Sequence, residues 1–278
     1  MPLAYGLIHP VDLPVPKLPR ELDGLRIAHV SDLHVKRWNQ RLSQLVNQLT
    51  AMRLDLVAFT GDFQHLPPHL DASIEVMRRL TRHLRPAIGS FGVFGNHDEA
   101  DFIDAVQDLP LTWLRNRATA IPGKPLEVMG LHEERHETPD AVALALDRGR
   151  RTAEALPVGK SGRRPETTEP FRILLCHNPA RSHAADALGA HLTLSGHTHG
   201  GQIRLPWKRS LVNATDLPQR MSSGVFRTRS GLLCISRGLG ESGVPLRTWC
   251  PPHMPVYTLR RRTGAAGHAN DFHRVVAW

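Results

Sequence analysis

The sequence predicts an α/β sandwich in which parallel strands alternate with helices along the chain. Two observations carry this prediction: short apolar runs with β-branched residues recur through the chain, and segments with apolar residues at helical spacing separate the early runs. Alternation of this kind is typical of a sheet whose faces are covered by helices. Hydrophobic residues make up 41% of the 278 residues, which is enough for a sizeable core and excludes a wholly disordered chain.

Strand and helix alternate in the first third of the chain. Residues 25–31 form a short apolar run and predict the first buried strand. Apolar residues at helical spacing predict the first helix over 41–52, and the apolar run 55–60 predicts the second buried strand. A second amphipathic helix is expected over 70–84, followed by a third short strand at 91–94.

The rest of the chain predicts further strands and one helix. Strands are expected at 126–131, 171–176, 191–195, 224–229, 232–236 and 255–260, the last three in a more antiparallel region. Residues 139–155 predict a helix, and the basic segment 159–170, rich in glycine, proline and threonine, predicts a surface loop. We expect one domain over residues 1–260 and a polar tail over residues 261–278.

Charge and cysteine content narrow the class of protein. The 35 Lys and Arg exceed the 26 Asp and Glu, and the net charge of +9 favours polyanions such as nucleic acid, anionic lipid head groups or phosphorylated small molecules. Three widely spaced cysteines without a CxxC motif exclude a disulfide framework and a cysteine zinc site. No apolar run approaches the about 18 residues that a membrane span needs, and the first 17 residues do not resemble a signal peptide. We therefore expect a cytoplasmic location, with any membrane contact peripheral.

Five polar clusters follow directly after predicted strands. They are Asp32 with His34, Gly61-Asp62, the Gly-Asn-His-Asp run 95–98, His177, and the Gly-His-Thr-His-Gly-Gly-Gln run 196–202. Ligands of open α/β sheets bind at the carboxyl ends of the strands, so these clusters are expected to meet in space. Each cluster alone has an ordinary explanation as a turn or a surface histidine, but the series of five favours a metal site.

The residue types in these clusters indicate which ions would bind. Asp, His and Asn supply oxygen and nitrogen donors without a thiolate, a set that suits Mn, Fe or Zn better than Mg or Ca. The D-x-H and H-x-H spacings place alternate side chains on one side of an extended segment. The ligands are too many for one ion, and two ions about 3.5–4 Å apart that share one carboxylate would use them all. We predict two divalent metal ions as cofactors.

The ordered series D-x-H, G-D, G-N-H-D, H and G-H-x-H resembles the calcineurin-like metallophosphoesterase superfamily over about residues 25–199. The G-H-T-H-G-G-Q run and residues 236–245 are similar to a bacterial subgroup of small phosphodiesterases that includes enzymes hydrolysing UDP-2,3-diacylglucosamine. The resemblance implies a four-layer αββα sandwich. It also implies a hydrolase that depends on a metal such as manganese and that cleaves a phosphodiester or pyrophosphate bond.

The resemblance also implies a role for each motif residue. One ion would be held by Asp32, His34, Asp62 and His199, and the other by Asp62, Asn96, His177 and His197. A metal-bridging hydroxide would attack phosphorus in line, with His97 facing the leaving-group oxygen as general acid or charge stabiliser. Two cations would lower the pKa of bound water and offset the charge of the phosphate oxygens.

One position departs from the G-D-x-x-D pattern that is common in the superfamily. His65 stands where the second Asp of that pattern buttresses the histidine of the G-N-H motif. A carboxylate there would favour a protonated His97, whereas a histidine would not, so Asp98 or a substrate group is the candidate replacement. The motifs also lack the D-R-G continuation of serine/threonine protein phosphatases and the tyrosine ligand of purple acid phosphatases, which disfavours both branches.

The sequence predicts the substrate contacts only in part, and it leaves a nuclease and a non-catalytic binding protein as alternative functions. Arg237 is the candidate substrate-binding residue for a small, nucleotide-linked or lipid-linked phosphoester. Peripheral contact with an anionic membrane stays open, and no specific nucleic-acid or protein partner is predicted. A nuclease of the same superfamily fits the net charge, but aromatic residues make up only 5% and basic residues are scattered. A non-catalytic binding protein is disfavoured because every candidate ligand is present, and only His65 favours it.

Overall fold

A computed structural model describes residues 7–65, 67–132, 169–205, 210, 215–262 and 273–276. The helix predicted over 139–155 and most of the loop predicted over 159–170 lie outside these residues. The strands are β1 (Ile8–Val15), β2 (Arg26–Val30), β3 (Leu56–Thr60), β4 (Gly89–Val93), β5 (Thr112–Trp113), β6 (Arg117–Ala120), β7 (Leu126–Leu131), β8 (Phe171–Cys176), β9 (Leu192–Ser195), β10 (Gly224–Arg227), β11 (Leu232–Ile235), β12 (Met254–Arg261) and β13 (His273–Val276). The helices are α1 (Gln40–Ala51), α2 (Leu70–His83), α3 (Ala100–Ala105) and α4 (Ala184–Ala187), and short 3₁₀ turns include His199–Gly201.

These strands form two sheets, with the order β1-β12-β2-β3-β4-β5 in the first and β13-β10-β11-β9-β8-β7-β6 in the second. Strands β2 to β5 are parallel to one another in the first sheet, β12 is antiparallel to β2, and β7, β8, β9 and β11 are parallel in the second. Every residue of β3, β7, β8 and β9 is buried. Strands covered on both faces have continuous apolar sequences, which is why these strands were predicted within a residue or two of their observed bounds.

Successive side chains of a strand point to opposite faces of its sheet. One face packs against the other sheet and the other packs against helices, which gives four layers. Ile173 of β8 packs in the core between the two sheets, while its neighbour Leu174 packs against the outer cluster that includes α4. In the first sheet, Leu56 of β3 faces the inter-sheet core and Val57 faces α1 and α2. The order helix, sheet, sheet, helix confirms the predicted αββα sandwich. Among the residues described, no helix is long and apolar enough to cross a membrane.

Strand β1 was not predicted, because Pro10 and Pro14 interrupt its sequence. It runs parallel to β12 at the edge of the first sheet, with Pro10 opposite Val256 and Pro14 opposite Arg260. Proline cannot donate to a strand ladder, but an edge strand has one side without a ladder partner and tolerates it. The prolines therefore restrict this segment to the sheet edge and do not exclude a strand.

The interpretation of residues 261–278 as a polar tail is corrected in part. Arg261 is the last residue of β12, and His273–Val276 form β13, antiparallel to β10 at the edge of the second sheet. Four residues are too few for a sequence pattern to distinguish a strand from its polar surroundings. The free edge of β10 supplies the backbone partners that make this segment a strand.

Candidate metal centre

The five polar clusters meet where the carboxyl ends of strands from both sheets come together. Two groups of ligand-type side chains have atoms within 4.8 Å of one another, and they are Asp32, His34, Asp62 and His199 in the first and Asp62, His177 and His197 in the second. Asp62 belongs to both groups. The sheets are joined directly at this point, since His177 Nδ1 after β8 lies 2.7 Å from the carbonyl oxygen of Thr60 at the end of β3.

Asn96 completes the second group. His177 Nε2 lies 3.2 Å from Asn96 Oδ1, 3.1 Å from His197 Nδ1 and 3.2 Å from Asp62 Oδ2. One imidazole nitrogen has either one proton or one lone pair, so it cannot hydrogen-bond well to three partners that converge on it. A cation among these four atoms would interact favourably with all of them.

Two histidines have a tautomer that suits metal binding. The Nδ1 atoms of His34 and His177 lie 3.0 Å from Gln64 O and 2.7 Å from Thr60 O, and a carbonyl oxygen only accepts, so each Nδ1 carries the proton. Each Nε2 faces the Asp62 carboxylate, at 3.5 Å and 3.2 Å, so without a cation between them the ring would have to carry a second proton. The buried His34 Nε2 makes no hydrogen bond of acceptable geometry. A divalent ion between these nitrogens and the carboxylate would take the place of that proton, so these residues fit a metal site.

The ionisation state of Asp62 also fits a metal site. Its side chain is buried, and burial alone would raise its pKa. The positive charges of protonated His177 and His34, together with their hydrogen bonds, nevertheless hold the pKa of Asp62 well below its usual value. Asp62 is therefore an ionised, buried carboxylate at neutral pH, which is the state that a metal ligand requires.

Five of the candidate ligands have a left-handed backbone conformation. The φ angles are +48° for Asp32, +39° for His34, +56° for Asp62, +68° for His197 and +49° for His199. Such a conformation costs about 1–3 kcal/mol for a non-glycine residue, and it persists only where surrounding contacts impose it. Five candidate ligands at the strand ends share this conformation, which indicates that contacts of their side chains hold the loops in place.

Glycines allow the ligand loops to approach one another. A Cβ atom at Gly95 would overlap Asp62 Oδ1, and a Cβ atom at Gly196 would overlap Ser31 Oγ and Asp32 Oδ2. Both positions therefore require glycine for contact between one ligand loop and the next. This is the physical reason for the glycine that begins each of the motifs at 95–98 and 196–202.

Asp98 anchors two ligand loops, a role that the sequence analysis did not assign. Its Oδ1 accepts the backbone N–H groups of Phe63 and Gln64 at 2.8 and 3.0 Å, and its Oδ2 accepts those of Asp62 and Gly95 at 2.9 and 2.8 Å. Burial, followed by the charge of Asp62, raises the pKa of Asp98 to about 6. The carboxylate therefore ties the loop of Asp62 to the loop that carries Asn96 and His97.

We expect Asp98→Asn to weaken metal binding by about 10- to 100-fold, the usual effect of removing a group that orients ligands. The amide would present its NH₂ to two backbone N–H donors, and each buried donor left without an acceptor costs about 1–3 kcal/mol. Metal titration and thermal unfolding measure the two effects. Asp101→Asn, an exposed substitution in α3, is the control. Unchanged metal affinity in Asp98→Asn would contradict the anchoring role.

His97 lies at the border between the candidate ligands and an open cleft. Its backbone N–H donates to Asp62 Oδ1 at 2.9 Å, and its half-buried ring lies 5.2 Å from the ring of His34. His65 lines the same cleft, with its ring 5.2 Å from that of His69. Burial and the nearby charge of Lys36 lower the pKa of His65 to about 4, so it is neutral at neutral pH. His65 thus supplies no negative charge where the common pattern has a carboxylate.

Four of the cations near the motifs, Lys36, Arg37, Arg237 and Arg247, fall into two pairs. Lys36 and Arg37 are exposed and line the cleft beside His97. Arg247 instead donates to the backbone oxygens of His199 and Arg237, at 3.0 and 2.8 Å, and so ties the loop after β11 to a candidate ligand. Arg237 is only 6% exposed and its Nη1 donates to Pro251 O at 3.3 Å, so its predicted substrate contact stays a prediction.

The cleft beside the candidate ligands has a volume of about 790 Å³. Its polar lining residues include His34, Lys36, Arg37, Gln64, His65, His97, Glu99 and Glu241, and its apolar lining residues include Leu7, Leu33, Leu42, Leu45, Leu239, Val244 and Pro245. This volume lies in the usual range of sites for small organic ligands. The polar residues suit a charged group, and the accessible apolar residues Leu239, Val244 and Pro245 suit an apolar group.

Comparison with known proteins shows to which family the chain belongs. The family model described as calcineurin-like phosphoesterase matches residues 25–201, well over half of the chain. An uncharacterized metallophosphoesterase of Bacillus subtilis, YkuE, is 27% identical over 87% of this chain and 82% of its own length. The UDP-2,3-diacylglucosamine pyrophosphatase LpxG of Chlamydia muridarum is 26% identical over 88% of this chain and 87% of its own. A Danio rerio transmembrane protein with a metallophosphoesterase domain is 27% identical over 87% of this chain and 56% of its own.

Proposed function

Because this chain belongs to the calcineurin-like phosphoesterase family and is a metal-dependent hydrolase, we propose that it is a dinuclear phosphodiesterase or pyrophosphatase. The observation that carries the dinuclear part is the position of Asp62, whose Oδ2 lies within 3.5 Å of the Nε2 atoms of both His34 and His177. These two nitrogens belong to different ligand groups. A single carboxylate between two such groups is the arrangement expected of a shared ligand.

We propose that the seven candidate ligands hold two divalent ions, Mn, Fe or Zn. The first ion would be held by Asp32, His34, Asp62 and His199, and the second by Asp62, Asn96, His177 and His197. When bound, such ions lower the pKa of a water molecule and offset the negative charge of the phosphate oxygens. The donor set of imidazole, carboxylate and amide groups supports these metals over Mg or Ca.

The other residues of the site bind and orient the phosphoester. Lys36 and Arg37 attract the phosphate group into the cleft, which His97 also lines. His97 donates a proton to the oxygen of the leaving group, since its ring lies beside the candidate ligands and opens to the cleft. The hydrogen bond from His97 N–H to Asp62 places this ring relative to the metal ligands.

The cleft supports a substrate with both a charged and an apolar part. A phosphate group alone would leave the accessible apolar residues Leu239, Val244 and Pro245 of the cleft in contact with water. An alkyl or acyl chain on the phosphoester would cover these residues, and each buried CH₂ group contributes about 0.8 kcal/mol to binding. A lipid-linked phosphodiester or diphosphate is therefore the substrate class that we propose, and a relative of this chain has UDP-2,3-diacylglucosamine pyrophosphatase as its name.

The test is hydrolysis by protein that has been stripped of metal and reloaded with Mn²⁺ or Zn²⁺. We expect metal-dependent turnover of bis-p-nitrophenyl phosphate and slower turnover of the monoester p-nitrophenyl phosphate. A diester with a long alkyl chain should have a KM at least about 10-fold lower than a short-chain diester if the apolar lining residues of the cleft bind it. Single-stranded DNA as a substrate tests the nuclease alternative. Turnover that does not depend on metal, or none with two metals bound, would contradict the proposal.

A further inference from the structure

Exposed apolar side chains are concentrated in one loop at the mouth of the cleft. Among the described residues, four large apolar side chains are exposed, and three lie within residues 244–249. Their exposed fractions are 53% for Val244, 54% for Leu246 and 61% for Trp249, against 38% for Val275 elsewhere. Single exposed apolar residues are ordinary, but a cluster of them indicates an interaction surface. We call residues 244–249 the apolar loop.

The apolar loop is held in place by hydrogen bonds from buried or half-buried neighbours. Gln202 Nε2 donates to Val244 O at 2.7 Å, and Gln202 Oε1 accepts from Ser242 N at 2.9 Å. Arg247, within the loop, donates to the backbone oxygens of His199 and Arg237. The exposed side chains are therefore presented by a braced backbone, which loses little conformational freedom when the loop binds a partner.

Basic side chains flank the apolar loop. Lys36, Arg37 and Arg41 are exposed and line the same cleft as Val244 and Pro245. The acidic residues that line this cleft are Glu99 and Glu241, so cations outnumber anions at its mouth. The whole chain carries a net charge of +9. Both the local and the overall charge favour an anionic partner.

We propose that the apolar loop docks on an anionic lipid bilayer, with the cleft mouth facing the lipid head groups. Trp249 suits the interface between water and lipid, and arginine and lysine suit the level of anionic head groups. Three side chains on one short loop match a shallow insertion into a bilayer, whereas a stable protein–protein interface buries about 800 Å² on each partner. This proposal concerns binding to a surface and does not rest on the proposed hydrolysis.

Co-sedimentation of the full chain with vesicles tests the proposal. We expect binding to phosphatidylcholine vesicles that contain about one third phosphatidylglycerol, weaker binding to phosphatidylcholine alone, and a loss of binding as salt is raised. The double variant Leu246→Ser/Trp249→Asn should bind at least about 10-fold more weakly. Asparagine is chosen because Trp249 has a φ of +54°, a conformation that asparagine tolerates. Val275→Ser, an exposed apolar residue outside the loop, should bind as the unchanged chain does.

Two further measurements keep the test decisive. Turnover of bis-p-nitrophenyl phosphate and the thermal unfolding temperature show whether the double variant is folded, and the single variant Trp249→Asn replaces it if it is not. The proposal is overturned if the unchanged chain does not sediment with anionic vesicles, or if the folded variant sediments equally well. It is also overturned if the chain is a dimer in solution and the variant is a monomer, because the apolar loop would then join two copies.

Discussion

Asp62→Asn is expected to lower metal-dependent hydrolysis by at least about 1,000-fold, which corresponds to about 4 kcal/mol of transition-state stabilisation. The amide has nearly the same size as the carboxylate but lacks its negative charge. Asp62 is the only residue that belongs to both ligand groups, with Oδ2 at 3.5 Å from His34 Nε2 and 3.2 Å from His177 Nε2. Both predicted ions should therefore bind more weakly.

The measurement combines kcat with the number of metal ions per chain determined by mass spectrometry. Asp71→Asn is the matched control, because it makes the same chemical change at an exposed position in the first turn of α2. We expect the control to retain full activity and two metal ions. Substantial hydrolysis by Asp62→Asn with two ions bound would contradict the shared-ligand assignment.

His97→Asn is expected to lower kcat by about 100- to 10,000-fold, the usual contribution of a general acid, while two metal ions stay bound. The ring of His97 opens to the cleft, whereas its backbone N–H holds Asp62 and is unaffected by a change of side chain. The loss should be large for an alkyl diester, whose leaving oxygen needs a proton. It should be small for bis-p-nitrophenyl phosphate, whose leaving group departs as an anion.

This difference between leaving groups separates a general acid from a positioning residue. A histidine that only shaped the site would lower kcat equally for both esters or would cause loss of metal. His183→Asn, an exposed histidine in the turn after β8, is the control and should change neither kcat nor metal content. Equal loss for both substrates would refute proton donation by His97.

The strands and the ligand types were predictable because both are local properties of the sequence. A strand buried on both faces needs a continuous apolar run, and residues 171–176 form such a run in the sequence and the structure. A ligand's chemistry is that of its residue type. The rule that parallel strands present their carboxyl ends to one site then predicted that Asp32, Asp62 and His177 would meet.

Other features could not be predicted, because their partners lie far away in the chain or are backbone groups that almost any residue supplies. Asp98 accepts backbone N–H groups of residues about 35 positions earlier, and any residue except proline could supply such a donor. Strand β1 exists because β12, more than 240 residues later, offers a free edge. The prolines of this segment, taken alone, indicated that it is not a strand.

The sequence by itself determined which residues are candidate ligands, in what order they occur and which family they indicate, since these depend on residue type and spacing. Only the tertiary structure decided that Asp62 lies between two histidine groups, that Arg247 braces His199 and does not face the cleft, and that Val244, Leu246 and Trp249 stay exposed. These properties depend on distances between segments that only folding brings together. A side chain's type determines its chemistry, but the backbone positions of distant segments determine what it can reach.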